Sequence, residues 1–404
     1  MDIFDSHVHI SPKVSMSQII LEMDKAGVSV ANLYSGTLEA TAQYQGRFTL
    51  FADTPDQPQP STWLTQGQAF VKSAENQLKS GKFSGIGEAN LRYYGGSNSP
   101  PNVIDGPGTP DIYVPADTSL WLQLVDLSAK YQVPISFHFV PDSSVANAAF
   151  ERMLNHNKNA IFIWAHLGFN NMPFDRAKLN DYLLRYPNLY FDTAGIQNMQ
   201  NPLPKSNSNW ALLTDQANNG QLKEEWKQFF ETWNLRILFA TDAGGGANSL
   251  ERWLNYSSNT SDGAPANSVG HWTRLLSNLE YSSARNILSG NAKALFLKEQ
   301  RPPYDYLVSS GGKCHHIFVS SASSISALNF NPNTGAITFT AANSSGTNGS
   351  AIVTIPTELA KGNFTASVDS QNVQIKEVPS STNTTITIEY NGGIRTITLQ
   401  GKKV

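Results

Sequence analysis

The sequence predicts an α/β fold: a TIM (β/α)8 barrel followed by a smaller, C-terminal all-β sandwich. Three observations carry that prediction. Eight short apolar runs alternate with stretches of helical period through the first 300 residues, the arithmetic of eight βα units. Five candidate imidazoles and carboxylates, His9, Glu88, His138, His166 and Asp242, stand at or beside the ends of these runs, where a strand buried on both faces should end in apolar residues. The composition then changes: all eight Trp and all six Met lie before residue 300, whereas residues 313–404 hold neither and only 10 charged groups.

In order along the chain, the strand runs are Ile3–His9, Val28–Tyr34, Phe48–Ala52, Gly85–Ala89, Pro134–Phe139, Ile161–His166, Leu189–Asp192 and Ile237–Asp242. Helices are predicted between them at Gln18–Lys25, Gln66–Leu78, Leu120–Tyr131, Ala146–Asn155, Ala177–Arg185 and Glu224–Thr232, with Ser283–Leu297 closing the series. A doubly wound open sheet fits the same alternation, but the first strand-to-helix turn lacks the Gly-rich phosphate fingerprint such sheets often carry. Pro302-Pro303 reads as a linker, so domains are expected at 1–304 and 305–404. The tail is dense in Ser, Thr and Asn and divides into short alternating runs at His316–Val319, Ile337–Thr340, Ala351–Ile355, Phe364–Val368, Val373–Val378, Thr385–Tyr390 and Ile394–Leu399. Asn391-Gly392-Gly393 is expected to turn a tight hairpin between the last two.

With 404 residues, 40% hydrophobic and 15% charged, the chain can bury a large core. A net charge of -3 gives no basic field to hold nucleic acid through its phosphates. A single cysteine, Cys314, excludes an intrachain disulfide and a thiolate cluster. No run of about 18 apolar residues spans a bilayer. No signal-like segment precedes Ile3, so a soluble chain is expected, whether it starts there or has lost an export signal.

The polar strand ends carry the chemistry. In Asp5-Ser6-His7-Val8-His9, period two sends Asp5, His7 and His9 to one face, so two imidazoles converge at one strand end. Glu88, His138, His166 and Asp242 then end the fourth, fifth, sixth and eighth runs. In barrel enzymes the C-terminal strand ends form the active-site mouth. Four histidines and two carboxylates without a thiolate suit a borderline-to-hard divalent cation, zinc foremost. Any one of these histidines alone is as well explained as a hydrogen-bonded core residue; the set at one mouth is not.

These pieces together resemble the metal-dependent amidohydrolase superfamily, and within it the amidohydrolase-related branch of aminocarboxymuconate-semialdehyde decarboxylase and pyrone-dicarboxylate lactonase. The resemblance covers nearly the whole first domain. It rests on Asp5–His9, Ala129–His138, Ile163-Trp164-Ala165-His166-Leu167-Gly168, Leu189–Thr193, Phe239-Ala240-Thr241-Asp242 and Ile287–Ala292. It implies His7, His9, His138 and Asp242 around one metal, with His166 beside its water and Asp242 collecting that water's proton. The strand Gly85-Ile86-Gly87-Glu88-Ala89-Asn90-Leu91 is instead similar to that of TatD-type deoxyribonucleases. There a carboxylate bridges two metals and the sixth-strand histidine becomes a ligand. One zinc or two therefore stay open, with Glu88 either the bridge or else a carboxylate that meets the substrate or stands behind the ligands.

The resemblance implies a hydrolase acting through metal-activated water on a lactone, ester or amide bond of a small polar organic substrate. Two other classes compete. One is a lyase decarboxylating a small unsaturated or aromatic acid; the other is a non-catalytic surface binding protein with a structural metal. A two-metal nuclease is disfavoured by the missing basic groove.

Arg92 and Tyr93, beyond the fourth strand, open a Pro/Gly-rich stretch to Pro115 that is expected to cover the mouth. Arg92 is a candidate for a substrate carboxylate or, equally, for a surface ion pair. Gly195–Asn209 is expected to add polar side chains over the same mouth, and Ala243-Gly244-Gly245-Gly246 a close backbone approach or a plain turn. Cys314-His315-His316 reads as a strand start, and His156 and His271 as solvent-facing. Six Asn-x-Ser/Thr sequons at Asn255, Asn259, Asn343, Asn348, Asn363 and Asn383, with a tail similar to immunoglobulin-like modules of secreted proteins, favour an extracellular or cell-surface location over the cytoplasm. A small-molecule substrate and a homo-oligomer are the partners expected.

Overall fold

The computed structural model describes residues 1–34, 36–52, 60–93, 112–168, 176–194, 213–215, 221–245, 249–257 and 268–404. The predicted barrel forms from β1 (Ile3–His9), β2 (Val28–Tyr34), β3 (Phe48–Ala52), β4 (Gly85–Tyr93), β5 (Pro134–Phe139), β6 (Ile161–Trp164), β7 (Leu189–Asp192) and β8 (Ile237–Leu238). They pair in that order, all parallel. The sheet closes by backbone hydrogen bonds between β1 and the segment after β8: Ser6 N to Phe239 O (3.0 Å), Asp242 N to His7 O (2.9 Å) and His9 N to Ala243 O (2.7 Å).

Helices cover the strands where the sequence carries helical period and start signals. Helix α1 (Met16–Ala26) starts at Ser15, whose hydroxyl accepts from Gln18 N while the Gln18 side chain returns to Ser15 N, and stops at Gly27 in the left-handed region. Next come α2 (Pro60–Lys79), α3 (Ser119–Tyr131), α4 (Ser144–His156), α5 (Arg176–Arg185) and α6 (Glu224–Thr232). Between β5, β6 and these helices lies an aromatic seam of Phe137, Phe139, Phe150, Trp164 and Tyr182, all buried, with Phe139 and Phe150 stacked at 4.8 Å. Among the described residues no helix is long and apolar enough to cross a membrane.

Two strands end earlier than their sequence runs. Strand β6 stops at Trp164, and the chain turns with His166 at φ 60° and Leu167 at φ 51°. Strand β8 is two residues long, and Asp242 also takes φ 60°. His166 and Asp242 therefore reach the mouth from strained turns just past the strands, where alternation does not govern direction. In β1 a register shift between Asp5 and Val8 likewise interrupts alternation.

The tail comprises β9 (Tyr304–Ser310), β10 (Lys313–Ser321), β11 (Ser324–Asn331), β12 (Ala336–Pro356), β13 (Ala360–Val368), β14 (Gln371–Val373), β15 (Ile375–Pro379) and β16 (Asn383–Lys403), all antiparallel. The hairpin expected at Asn391-Gly392-Gly393 does not form. Instead β16 runs straight through, and β12 fuses the two runs predicted as separate strands. The glycines serve a close approach: a Cβ on Gly392 would lie 2.1 Å from Ser344 O. The near half of β12 pairs with β11 and the far half with β10. Ile337, Phe339, Val353, Ile355, Ile386, Ile388, Ile397 and Leu399 from both halves of β12 and β16 bury into one core.

The tail meets the barrel at the N-terminal end of β8, opposite the mouth. The Asn234 amide donates to Glu231 O (2.7 Å) and to the tail's Ile325 O (3.1 Å), and accepts from Tyr304 Oη (2.7 Å) and Asn286 Nδ2 (3.0 Å). Arg236, buried, donates through Nε to Leu189 O (2.7 Å), through Nη2 to Tyr186 O (2.5 Å) and through Nη1 to the tail's Ser344 Oγ (3.3 Å).

Candidate metal centre

At the C-terminal mouth, all six predicted ligand residues come together around the carboxylate of Glu88. One oxygen, Oε2, lies 3.2 Å from His7 Nε2 and 3.7 Å from His9 Nε2. The other, Oε1, lies 3.1 Å from His166 Nε2 and 3.8 Å from His138 Nδ1. Glu88 thus divides the ligands into two triads, His7–His9–Glu88 and Glu88–His138–His166, whose donor atoms fall within 4.8 Å of one another. Asp242 joins the first, with Oδ1 3.4 Å from His9 Nε2 and 3.8 Å from His7 Nε2.

Hydrogen bonds on the far side of two imidazoles decide which nitrogen faces inward. His166 Nδ1 donates to Ala194 O (2.8 Å), a carbonyl that can only accept, so in the neutral ring Nε2 carries the lone pair. His7 Nδ1 donates to Asp192 Oδ2 (3.0 Å), which in the neutral ring likewise leaves the lone pair on Nε2. In the neutral rings both lone pairs would face carboxylate oxygens at 3.1–3.2 Å, a contact that either a proton on each Nε2 or a bound cation satisfies. Acceptors buried against acceptors repel unless positive charge stands between them. A divalent cation meets that demand with the usual N and O donors.

The titration behaviour expresses the same demand. Burial alone would depress His7, yet the carboxylates of Glu88 and Asp192 outweigh it and raise the imidazole well above its ordinary range. Burial works against His166 as well, and Glu88 again lifts it. His138 goes the other way: burial, then the neighbouring His166, push it down to about 3, leaving a neutral imidazole suited to ligation. Burial would raise Glu88, but His7 and His166 hold it well below the carboxylate range. Asp242 is also held low, by Arg252 first, against the effect of burial.

Asp192 is the residue that sequence reasoning missed. It ends the seventh strand run, so the rule that singled out the other polar strand ends applies to it too. Besides holding His7, it accepts through Oδ1 from His166 N (2.8 Å) and Ala194 N (3.1 Å), so one buried carboxyl group orients an imidazole and fixes the strained turn that carries another. Asp5 belongs elsewhere: Thr241 Oγ1 (2.6 Å) and Tyr256 Oη (2.8 Å) donate to its carboxyl, which burial pushes up to about 6.

Arg92 holds the carboxylate of Asp142 through Nε and Nη2, each at 2.9 Å, and its guanidinium lies 5.1 Å from the Tyr113 ring. The Tyr93 side chain, nearly all of the stretch from there to Pro115, the connection Gly195–Asn209, Gly246 and Asn259 lie outside the described residues. His271, expected at the surface, is largely buried beside Arg274, and burial pushes it down to about 4. His156 is exposed as expected, 3.2 Å from Asp126. Cys314-His315-His316 lies on β10, with His316 2.6 Å from Asp305.

The fold and site together define a (β/α)8 barrel with an imidazole–carboxylate centre at its C-terminal mouth. No protein-family model matches the chain, and no curated protein does. Among solved structures, it is similar to 2,6-dihydroxybenzoate decarboxylase from Rhizobium, with 15% identity, 74% of this chain and 99% of that one covered, and a TM-score of 0.37. Amidohydrolase 2 from Bifidobacterium longum subsp. infantis gives 14% identity, 74% and 99% coverage and a TM-score of 0.32. A glycoside hydrolase family 30 subfamily 8 xylanase from Clostridium acetobutylicum spans 99% of both chains, tail included, at 9% identity and a TM-score of 0.34.

Proposed function

We propose that the chain is a metal-dependent hydrolase of the amidohydrolase type, holding two divalent cations, zinc foremost, and cleaving a lactone, ester or amide bond of a small polar substrate. The observation that carries this reading is the pair of Nε2 atoms, on His7 and His166, turned by their Nδ1 hydrogen bonds against the two oxygens of one buried carboxylate. In this reading His7, His9, Glu88 Oε2 and Asp242 Oδ1 hold one cation, and Glu88 Oε1, His138 and His166 the other. Bound there, the cations supply Lewis acidity and bring the pKa of a coordinated water to about 7.

The chain's own groups do the rest. Asp242, kept ionised by Arg252, is the acceptor for the proton leaving the water. His166, anchored through Nδ1, keeps Nε2 turned toward the reacting centre. Arg92, four residues past Glu88 on β4, and Tyr93 are assigned to the substrate side of the pocket. Asp142 fixes the orientation of the Arg92 guanidinium. We read 1–304 as the catalytic unit and 305–404 as an immunoglobulin-like sandwich that braces the barrel from below.

The test is metal quantification on the purified protein, with a panel of lactones, esters, amides and aromatic acids assayed before and after chelation. The expected result is bound divalent metal, hydrolysis abolished by chelator and its recovery on adding zinc. Carbon dioxide release without uptake of water would overturn hydrolysis in favour of a lyase. Full activity in the chelated, metal-free protein would overturn the metal reading.

A further inference from the structure

Helix α7 (Ser249–Leu254) docks on the seam where the barrel closes, and two consecutive residues make the contact. Trp253 Nε1 donates to His9 O (3.2 Å). Arg252 Nη1 donates twice to one residue, to Asp242 Oδ2 at 2.6 Å and to Asp242 O at 3.0 Å. Asp242 needs such support. Its φ of 60° is costly for a residue with a Cβ, and its carboxylate stands on a short loop rather than on a strand. With Oδ2 and the main-chain carbonyl both pinned, the carboxylate plane has one orientation, and Oδ1 is the oxygen turned toward His9 and His7.

Gly245 completes the arrangement. A Cβ there would lie 2.2 Å from Asp242 Oδ1 and 3.1 Å from Arg252 Nη1, so any side chain displaces the ion pair. Its backbone does not require the left-handed region, so alanine is excluded there by space alone.

From this geometry we infer that Arg252 is the positioning residue of the centre, presenting Asp242 to the first cation through Oδ1 alone, with Gly245 keeping the space in which it does so. The inference rests on the two-cation reading above. It adds a requirement that reading does not contain: a guanidinium outside the ligand set fixes how the eighth-strand carboxylate binds.

The experiment uses the full chain stripped of metal and titrated with Co2+, followed by calorimetry and by the visible absorption of the bound ion, with thermal unfolding as the control. The wild type should take up two equivalents. Arg252→Met should weaken one equivalent by about tenfold or more and alter its spectrum, the size of effect usual for a residue supporting a ligand. Arg252→Lys should recover part of that affinity, and Gly245→Ala should reproduce the defect with the arginine still present. Wild-type affinity and spectrum in folded Arg252→Met would overturn the inference. Should that variant fail to fold, Gly245→Ala decides, since Co2+ binding unchanged from wild type there overturns it equally. A wild type that takes up no Co2+ contradicts the metal reading itself, a failure distinct from either variant's.

Discussion

The two ends of β8 bury polar groups in opposite ways. At the lower end, Asn234 and Arg236 sit among carbonyls, amides and hydroxyls that match them donor to acceptor, across the junction with the tail. At the upper end, a few residues away, His7 and His166 turn Nε2 against the two oxygens of Glu88, a contact that needs a proton or a cation between the atoms. Burial costs both ends the hydration of their polar groups; the lower one recovers much of it through neutral hydrogen bonds, whereas the upper one needs added positive charge. The contrast separates a polar cluster that holds a structure together from one built to receive something.

That comparison can be broken most severely at the mouth. Asp192→Asn puts an amide donor within reach of His7 Nδ1 and so reverses the tautomer that sends Nε2 inward. Metal affinity should fall by roughly 10- to 100-fold in a titration, with little change in the tail. Unchanged affinity would show that the tautomer argument is wrong.

At the lower end, Arg236→Met should take the guanidinium donors from the carbonyls of Leu189 and Tyr186 and cost roughly 3 kcal/mol or more in denaturant unfolding. Metal affinity should stay as in the wild type. A variant that loses affinity as well as stability would mean that the two ends are not independent.

The smallest expected effect concerns the exception within the junction. Glu231 accepts from Glu280 N (2.5 Å), Glu280 accepts from the tail's Ala327 N (3.0 Å), and burial pushes the Glu231 carboxyl up to about 7. The folded chain therefore binds this proton more tightly than the unfolded chain does. The stability it contributes is fully present below pH 4.5, falls as pH rises toward 7 and stays lost above. Glu231→Gln should remove that slope, a difference of at most about 3 kcal/mol, seen as converging melting temperatures in acid and a more stable variant at pH 7.5. Parallel pH profiles for the two proteins would contradict it.

Much of this was legible in the sequence, and the reasons differ by residue. His7, His9, Glu88 and His138 stand on strands, where period two and a polar residue at an apolar strand's end announce them. His166 and Asp242 were found by the same rule although their strands stop short; positive-φ turns bring them to the mouth, and spacing carries no sign of such turns. Asp192 bore the same signal, but its partners, His7 Nδ1 and His166 N, are 185 and 26 residues away in the chain. Arg252 had no signal: an arginine on a short helix looks the same whether it faces water or Asp242. In the tail, Asn391-Gly392-Gly393 carries the chemistry of a hairpin, and only the neighbouring strand's approach at Ser344 shows that the glycines make room instead of turning the chain.

The most direct measurement is anomalous diffraction at the zinc edge from crystals grown with Zn2+. The account predicts two peaks flanking the Glu88 carboxylate at ligand distances of about 2.0–2.2 Å, one bounded by His7, His9 and Asp242 and the other by His138 and His166. A mouth in which Glu88 is bonded directly to protonated imidazoles, with no anomalous peak beside it at saturating Zn2+, would contradict it.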